Sequence, residues 1–137
     1  MATEAHRKAV AKFQATKARV NVWMSPDGKE KLTEYAKTTP FGGLIAPGVM
    51  SFMAVWAKYL EVDFFGEELL AGKSTKIEWL KPVFAEDILT ARATVTNLTR
   101  RNARNGIVEI TIEAYNQNRE LVLTDVTEAI VKSKPSL

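Results

Sequence analysis

The chain has 137 residues, enough for one domain with a sizeable core, and its 46 % apolar and 26 % charged composition is that of a globular protein. It has no cysteine, which excludes disulfides, thiolate metal sites and cysteine nucleophiles; its single histidine, His6, cannot build a metal cluster, so neither metal nor cofactor is expected. A net charge of +3 calls for no nucleic-acid partner and suits a weak pull on an anionic ligand.

Residues 3–17 alternate charged and small apolar positions, with Ala5, Ala9, Val10, Phe13 and Ala18 at helical spacing, which predicts a first helix. The opening Met1-Ala2-Thr3-Glu4-Ala5-His6-Arg7-Lys8 lacks the apolar stretch of a secretory signal, and Lys58 interrupts the longest apolar run. A cytoplasmic protein without a membrane span is expected. Arg19 to Met24 reads as a short extended piece. Ser25-Pro26-Asp27-Gly28 has the composition of a tight turn, although Ser25 or Asp27 equally suits a helix cap. Lys29 to Lys37 predicts a short polar helix that breaks before Pro40.

Pro40-Phe41-Gly42-Gly43-Leu44-Ile45-Ala46-Pro47-Gly48 leads into a segment, to Leu60, that is apolar around most of its circumference, which predicts a helix buried on nearly every side. Pro47 suits the first helical position, and Gly48 lets another group approach the backbone closely. The unpaired amides of that first turn, with the helix dipole behind them, suit a carbonyl oxygen that gains negative charge. Ile45 and Ala46 line the same approach. Phe52, Met53, Trp56 and Tyr59 follow at helical spacing and read as core and tunnel wall.

Glu61 to Gly66 ends that helix and Glu67 to Gly72 reads as a connection, after which the period changes to two. Thr75–Lys81 is one candidate strand, closed by Pro82. Asp87–Leu98 is a second, with Leu89, Ala91, Ala93 and Val95 on one face. Ile107–Asn116 is the clearest, with Val108, Ile110, Ile112 and Ala114 opposite Glu109, Thr111, Glu113 and Tyr115. Leu121–Lys132 is the last, after a turn at Asn116-Gln117-Asn118-Arg119. Asn105-Gly106 between two alternating runs signals a hairpin turn. Consecutive hairpins after one buried helix imply an α+β class, with an antiparallel sheet whose single apolar face is covered by that helix. A single domain over 1–137 is expected, and the two free sheet edges predict a homodimer.

Two stretches carry a resemblance. Tyr35-Ala36-Lys37-Thr38-Thr39-Pro40-Phe41-Gly42-Gly43-Leu44-Ile45-Ala46-Pro47-Gly48 resembles the segment that opens the central helix of MaoC-like hot-dog proteins, the (R)-specific enoyl-acyl-thioester hydratases and dehydratases. Lys81-Pro82-Val83-Phe84-Ala85-Glu86-Asp87 is loosely similar to a second family stretch. The resemblance implies the hot-dog fold, an antiparallel sheet wrapped around one long central helix, and an acyl-CoA or acyl-carrier-protein thioester as partner. It implies hydration of an enoyl thioester or dehydration of a 3-hydroxyacyl thioester, with Gly48, Ile45, Ala46 and Trp56 in contact with substrate.

One departure stands out. The family's working pair is an Asp and a His in a pattern close to Asp-x-Asn-x-x-His ahead of the Phe-Gly-Gly. Counting back from Tyr35-Ala36 puts that His on Glu30 and the Asp on Ser25; anchoring on Asn21 puts them on Met24 and Arg19. Neither register supplies the pair. A carboxylate whose pKa is raised by burial can act as a general base, and Glu30 and Asp27 are the candidates. The alternatives are thioester hydrolysis and an acyl-thioester-binding subunit without chemistry. Arg100-Arg101-Asn102-Ala103-Arg104 reads either as a grip for coenzyme A phosphates or an acidic carrier, or as an ordinary soluble turn.

Overall fold

The computed structural model describes residues 17–19 and 25–134. Among these, the elements run β1 (Lys17–Arg19), α1 (Pro26–Lys37), α2 (Gly48–Val62), β2 (Leu69–Trp79), β3 (Ile88–Arg100), β4 (Asn105–Tyr115) and β5 (Leu121–Lys132). All five strands pair antiparallel in one sheet of order β1-β3-β4-β5-β2. Strands β3, β4 and β5 form its middle by successive hairpins, and β2 is one edge.

Alternation decides which face is inside. Val108, Ile110, Ile112 and Ala114 of β4 are buried, as are Leu89, Ala91 and Ala93 of β3, while their neighbours stay partly exposed. These side chains form one core with Val55, Tyr59 and Val62 of α2, so the sheet wraps the helix. Each fully buried Leu, Ile or Val contributes roughly 1.5–3 kcal/mol of transfer free energy.

Helix α2 is less enclosed than its composition predicts. Its buried stripe is Ser51, Phe52, Val55, Tyr59 and Val62, whereas Val49, Met53 and Leu60 are 64, 51 and 55 % exposed. A single sheet covers one side of a helical rod, and among the described residues the other apolar side stays largely exposed.

Other differences are local. Helix α1 begins at Pro26, with the Ser25 hydroxyl accepting from Gly28 N–H at 3.3 Å, so the cap reading of Ser25 holds and the tight turn does not form. Strand β2 begins at Leu69, inside the expected connection, because pairing with β5 extends to Leu69↔Val131 and only Gly66–Glu68 is left as a single 3-10 turn. Its pairing shifts register between Leu69 and Ala71 and again between Gly72 and Ser74. Asn105-Gly106 is not the hairpin turn: Gly106 pairs with Arg100, and residues 101–104 make the loop, where Asn102 Oδ1 accepts from Arg104 and Asn105 N–H. Gly106 is there because a Cβ would stand 2.9 Å from Thr99 O on the adjacent strand. The helix expected over 3–17 and the extended piece over 19–24 lie outside the described residues except at Lys17–Arg19, which pair with Ile88–Thr90, so Lys17 is strand rather than helix.

Candidate functional site

The two stretches singled out in the sequence meet in space. Ala46 N–H donates to Val83 O at 2.7 Å and Ala85 N–H to Leu44 O at 2.9 Å, with Ile45 bridged to Phe84. Asp87 fastens the second stretch: its carboxylate accepts from Phe84 N–H at 2.8 Å and from Gln117 Nε2 at 2.9 Å. The short ladder between 44–46 and 83–85 therefore fixes where α2 starts.

At that start lies a cavity of about 280 Å³, lined in part by Ile45, Ala46, Gly48, Ser51, Trp79 and Lys81. No described residue accepts a hydrogen bond from Gly48 N–H. No acidic side chain stands in the first turn of α2, so the positive end of its dipole is not neutralised there. Trp79 packs its indole against the bare Cα of Gly48 and donates from Nε1 to Gly48 O at 2.7 Å; the Ser51 hydroxyl donates to the same oxygen at 2.9 Å. The close approach that Gly48 permits is thus made by the protein's own indole, from β2.

A second, larger cavity of about 500 Å³ is lined by later residues of α2 and by the Leu69 end of β2. One wall is aromatic, with Phe52, Trp56, Tyr59 and Phe64 in consecutive tilted contact at centroid distances of 5.6, 4.9 and 5.2 Å. The facing wall comes from Ser74 and Thr75 of β2 and Thr127 and Glu128 of β5. Behind it sits Asp125, fully buried and hydrogen-bonded through Oδ1 to the Thr75 hydroxyl at 2.5 Å, while Oδ2 has no partner. Burial pushes the Asp125 carboxyl above its ordinary range, and the Thr75 hydroxyl and the Lys76 backbone N–H draw it part of the way back. Burial also pushes the Tyr59 phenol up to about 12, with the Asp125 charge adding to it.

No family model matches the chain. It is 25 % identical over 100 residues, 72 % of this chain and 71 % of the other, to the uncharacterised protein YdeM of Bacillus subtilis (strain 168). Among solved structures it is similar to the monoamine oxidase regulatory protein from Archaeoglobus fulgius, with a TM-score of 0.70, 24 % identity and coverage of 87 % of this chain and 90 % of that one. It is also similar to the MaoC-like dehydratase from Rhodospirillum rubrum, with a TM-score of 0.64, 22 % identity and coverage of 88 and 92 %. Other similar structures are (R)-hydratases. The chain has the hot-dog fold.

Within this hot-dog fold the predicted site residues separate into three places. Ile45, Ala46 and Gly48 come together at the smaller cavity, and Trp56 lines the larger one instead. Glu30 and Asp27 stand exposed on α1 and line neither cavity; Asp27 pairs with Lys31 at 3.2 Å. Trp79 and Asp125 escaped sequence reasoning, since an aromatic in a strand and an acid between Thr124 and Val126 carry no motif. The Arg100–Arg104 tip is exposed and lies beyond the Leu69 end of β2, since Asn105 pairs with Lys132 and Leu69 with Val131; Gly48 is at the Trp79 end. Among the described residues, no helix is long and apolar enough to cross a membrane, and no group of three or more His, Cys, Asp or Glu is placed to hold a metal.

Proposed function

We propose that the chain binds an acyl thioester along the crevice between α2 and β2 and interconverts enoyl and 3-hydroxyacyl thioesters. The observation that carries this reading is the Gly48 N–H, without a described acceptor, at the mouth of an apolar crevice beside a helix of 15 residues, about 22 Å long. In the reaction, a water oxygen bonds to the β-carbon, electron density moves through the α-carbon onto the thioester oxygen, and the α-carbon then takes a proton. Donors at a helix start stabilise that oxygen when it is charged, and losing one such donor costs on the order of 10²–10³ in rate. The acyl chain lies over Phe52, Trp56 and Tyr59. Solved structures of this fold that are named dehydratases and hydratases support the reaction class.

Glu30 and Asp27 are the proton carriers in this reading. Helix α1 is tied through Lys29, whose Nζ stands 3.7 Å from Glu86, to the turn that follows Pro82 and Val83 of the smaller cavity's lining. The exposed apolar side of α2 and the open edge of β2 fit a second copy of the chain, which makes the working unit a homodimer. One observation favours a second reading, binding without chemistry: no carboxylate or imidazole lines the Gly48 cavity among the described residues.

Incubation with crotonyl-coenzyme A, following both conjugated absorbance and free thiol, decides among these. Hydration removes the absorbance without releasing thiol, and Glu30→Ala or Asp27→Ala lowers that rate by about 10²–10⁴-fold for the residue that carries the proton. Thiol release shows hydrolysis instead. Bound ligand with neither signal leaves only the binder, and full activity in both variants removes Glu30 and Asp27.

A further inference from the structure

The cations of this chain divide into two groups. Among residues 25–134, every lysine from Lys29 to Lys81, and Arg92, stands in an ion pair with a carboxylate. Those outside these pairs are Arg100, Arg101, Arg104, Lys132 and Lys134, with Arg119 apart from them on the turn between β4 and β5.

The first five meet at one end of the sheet, and all are exposed. Arg100 ends β3 and pairs with Gly106, Lys132 pairs with Asn105, and Ser133 N–H donates to Arg104 O at 2.9 Å. Arg100 Nε donates to Asn102 O at 3.2 Å and Lys132 Nζ to Glu67 O at 2.8 Å, main-chain oxygens that leave the charge in place. Asp63, Glu67 and Glu68, around the 3-10 turn that Lys132 touches, offset part of this charge without an ion pair to it.

The surroundings of these cations select the partner. They line neither cavity, so neither encloses a small anion against them. Residues 97–106 and 129–134 contain no aromatic side chain on which a base could stack. The cations span the ends of three adjacent strands, about 10 Å between the outer axes before long side chains are added, which overfills a DNA major groove of about 12 Å. A specific protein interface has an apolar centre with aromatic anchors, whereas here the centre is charge and the exposed apolar side chains beside it are Leu98, Leu69 and Leu70. A fluid layer of anionic headgroups needs only the charge, and accepts leucines at its edge.

We propose that this end of the sheet docks on an anionic phospholipid surface, with Arg100, Arg101, Arg104, Lys132 and Lys134 lying among the headgroups. The attraction is electrostatic: each cation strengthens partitioning by roughly five-fold, and salt screens it. Leu69 also lines the larger cavity, so the docked face adjoins that space. The inference does not rest on thioester chemistry, and its probes contain no thioester.

The test is co-sedimentation of the full chain with sucrose-loaded vesicles. At about 0.1 M salt the protein pellets with phosphatidylcholine vesicles in which roughly one lipid in three is phosphatidylserine, and stays in solution with phosphatidylcholine alone. Raising the salt to about 0.5 M releases it. Arg100→Ala, Arg101→Ala and Arg104→Ala together lower partitioning on the order of 100-fold, while lysine at all three positions leaves it within about two-fold. Should the triple alanine variant not fold, Arg101→Ala with Arg104→Ala, both in the exposed loop, decides with a loss of roughly 25-fold. Equal pelleting with both kinds of vesicle, binding that survives the alanine changes, or binding lost on exchange for lysine would each overturn the proposal. Capture by immobilised polyaspartate or duplex DNA without binding to the anionic vesicles would overturn it in favour of an acidic protein or a nucleic acid.

Discussion

Replacing Gly48 with alanine pits two effects of opposite sign against each other. A Cβ at this position would lie 2.8 Å from Trp79 Cε2 and 2.9 Å from Trp79 Nε1, well inside contact distance, so the indole must move. Moving it stretches the 2.7 Å bond from Nε1 to Gly48 O, worth about 1 kcal/mol net, and forcing a methyl into a filled space adds roughly 1 kcal/mol or more. Against this, alanine is favoured over glycine by up to about 1 kcal/mol in a helix, and by less at its first position. The balance is a loss of about 1–2 kcal/mol in the native background. In a Trp79→Ala background both the clash and the hydrogen bond are already gone, so the same Gly48→Ala change stabilises by roughly 0.5 kcal/mol. The sign reverses, and the coupling between the two positions is on the order of 2 kcal/mol. Urea unfolding of the four proteins, followed by far-ultraviolet circular dichroism, measures it. Equal effects of Gly48→Ala in both backgrounds would show that the indole does not lean on Gly48, and the account of the smaller cavity would fall with it.

Two further outcomes follow from buried charge and from exposed apolar surface. A carboxyl whose folded pKa lies above its ordinary value near 3.8 holds its proton more tightly in the folded chain, so ionised Asp125 costs stability; that cost is absent below about pH 3.8 and complete once the pH exceeds the raised value. The stability of Asp125→Asn relative to the native protein therefore climbs as pH rises through this window and then levels off, and a difference independent of pH in urea midpoints would refute it. Val49 lines neither cavity and is exposed in the second position of α2, where an acid suits the dipole. Val49→Glu leaves the chain's own stability within about 0.5 kcal/mol and halves the mass seen by light scattering; an unchanged mass would exclude α2 from the contact between copies.

The middle of the sheet was legible because each of its strands buries one face. Leu89, Ala91 and Ala93, then Val108, Ile110 and Ile112, announce themselves by alternation. The second half of strand β2 was read over Thr75–Lys81, but its first half was not, since an edge strand exposed along nearly its whole length has no face to keep apolar, and Leu69-Leu70-Ala71-Gly72 shows no period of two. The apolar girth of α2 was legible too, but apolar composition does not say whether a helix's own sheet or another chain will cover it. Gly48 could be found from Pro47-Gly48 ahead of an apolar run, whereas Trp79 becomes visible only when β2 is laid against that helix. Asp125 has a signal of a different kind. Once Ile112 is assigned inward, its register partner Asp125 must be inward as well, and a charged residue in that place is out of keeping with its neighbours.

Gly72, Lys73, Ser74 and Thr75 all border the larger cavity, although in a regular strand only every second residue can look the same way. The slips in the pairing of β2 with β5, at 69–71 and 72–74, turn the strand so that its main chain as well as its side chains skirts the space. The bore of this cavity is accordingly written in the count of residues between Leu69 and Ser74. Trimming a side chain along that stretch alters what the cavity recognises, while removing two residues, one at each slip, would even out the strand and draw the opening shut.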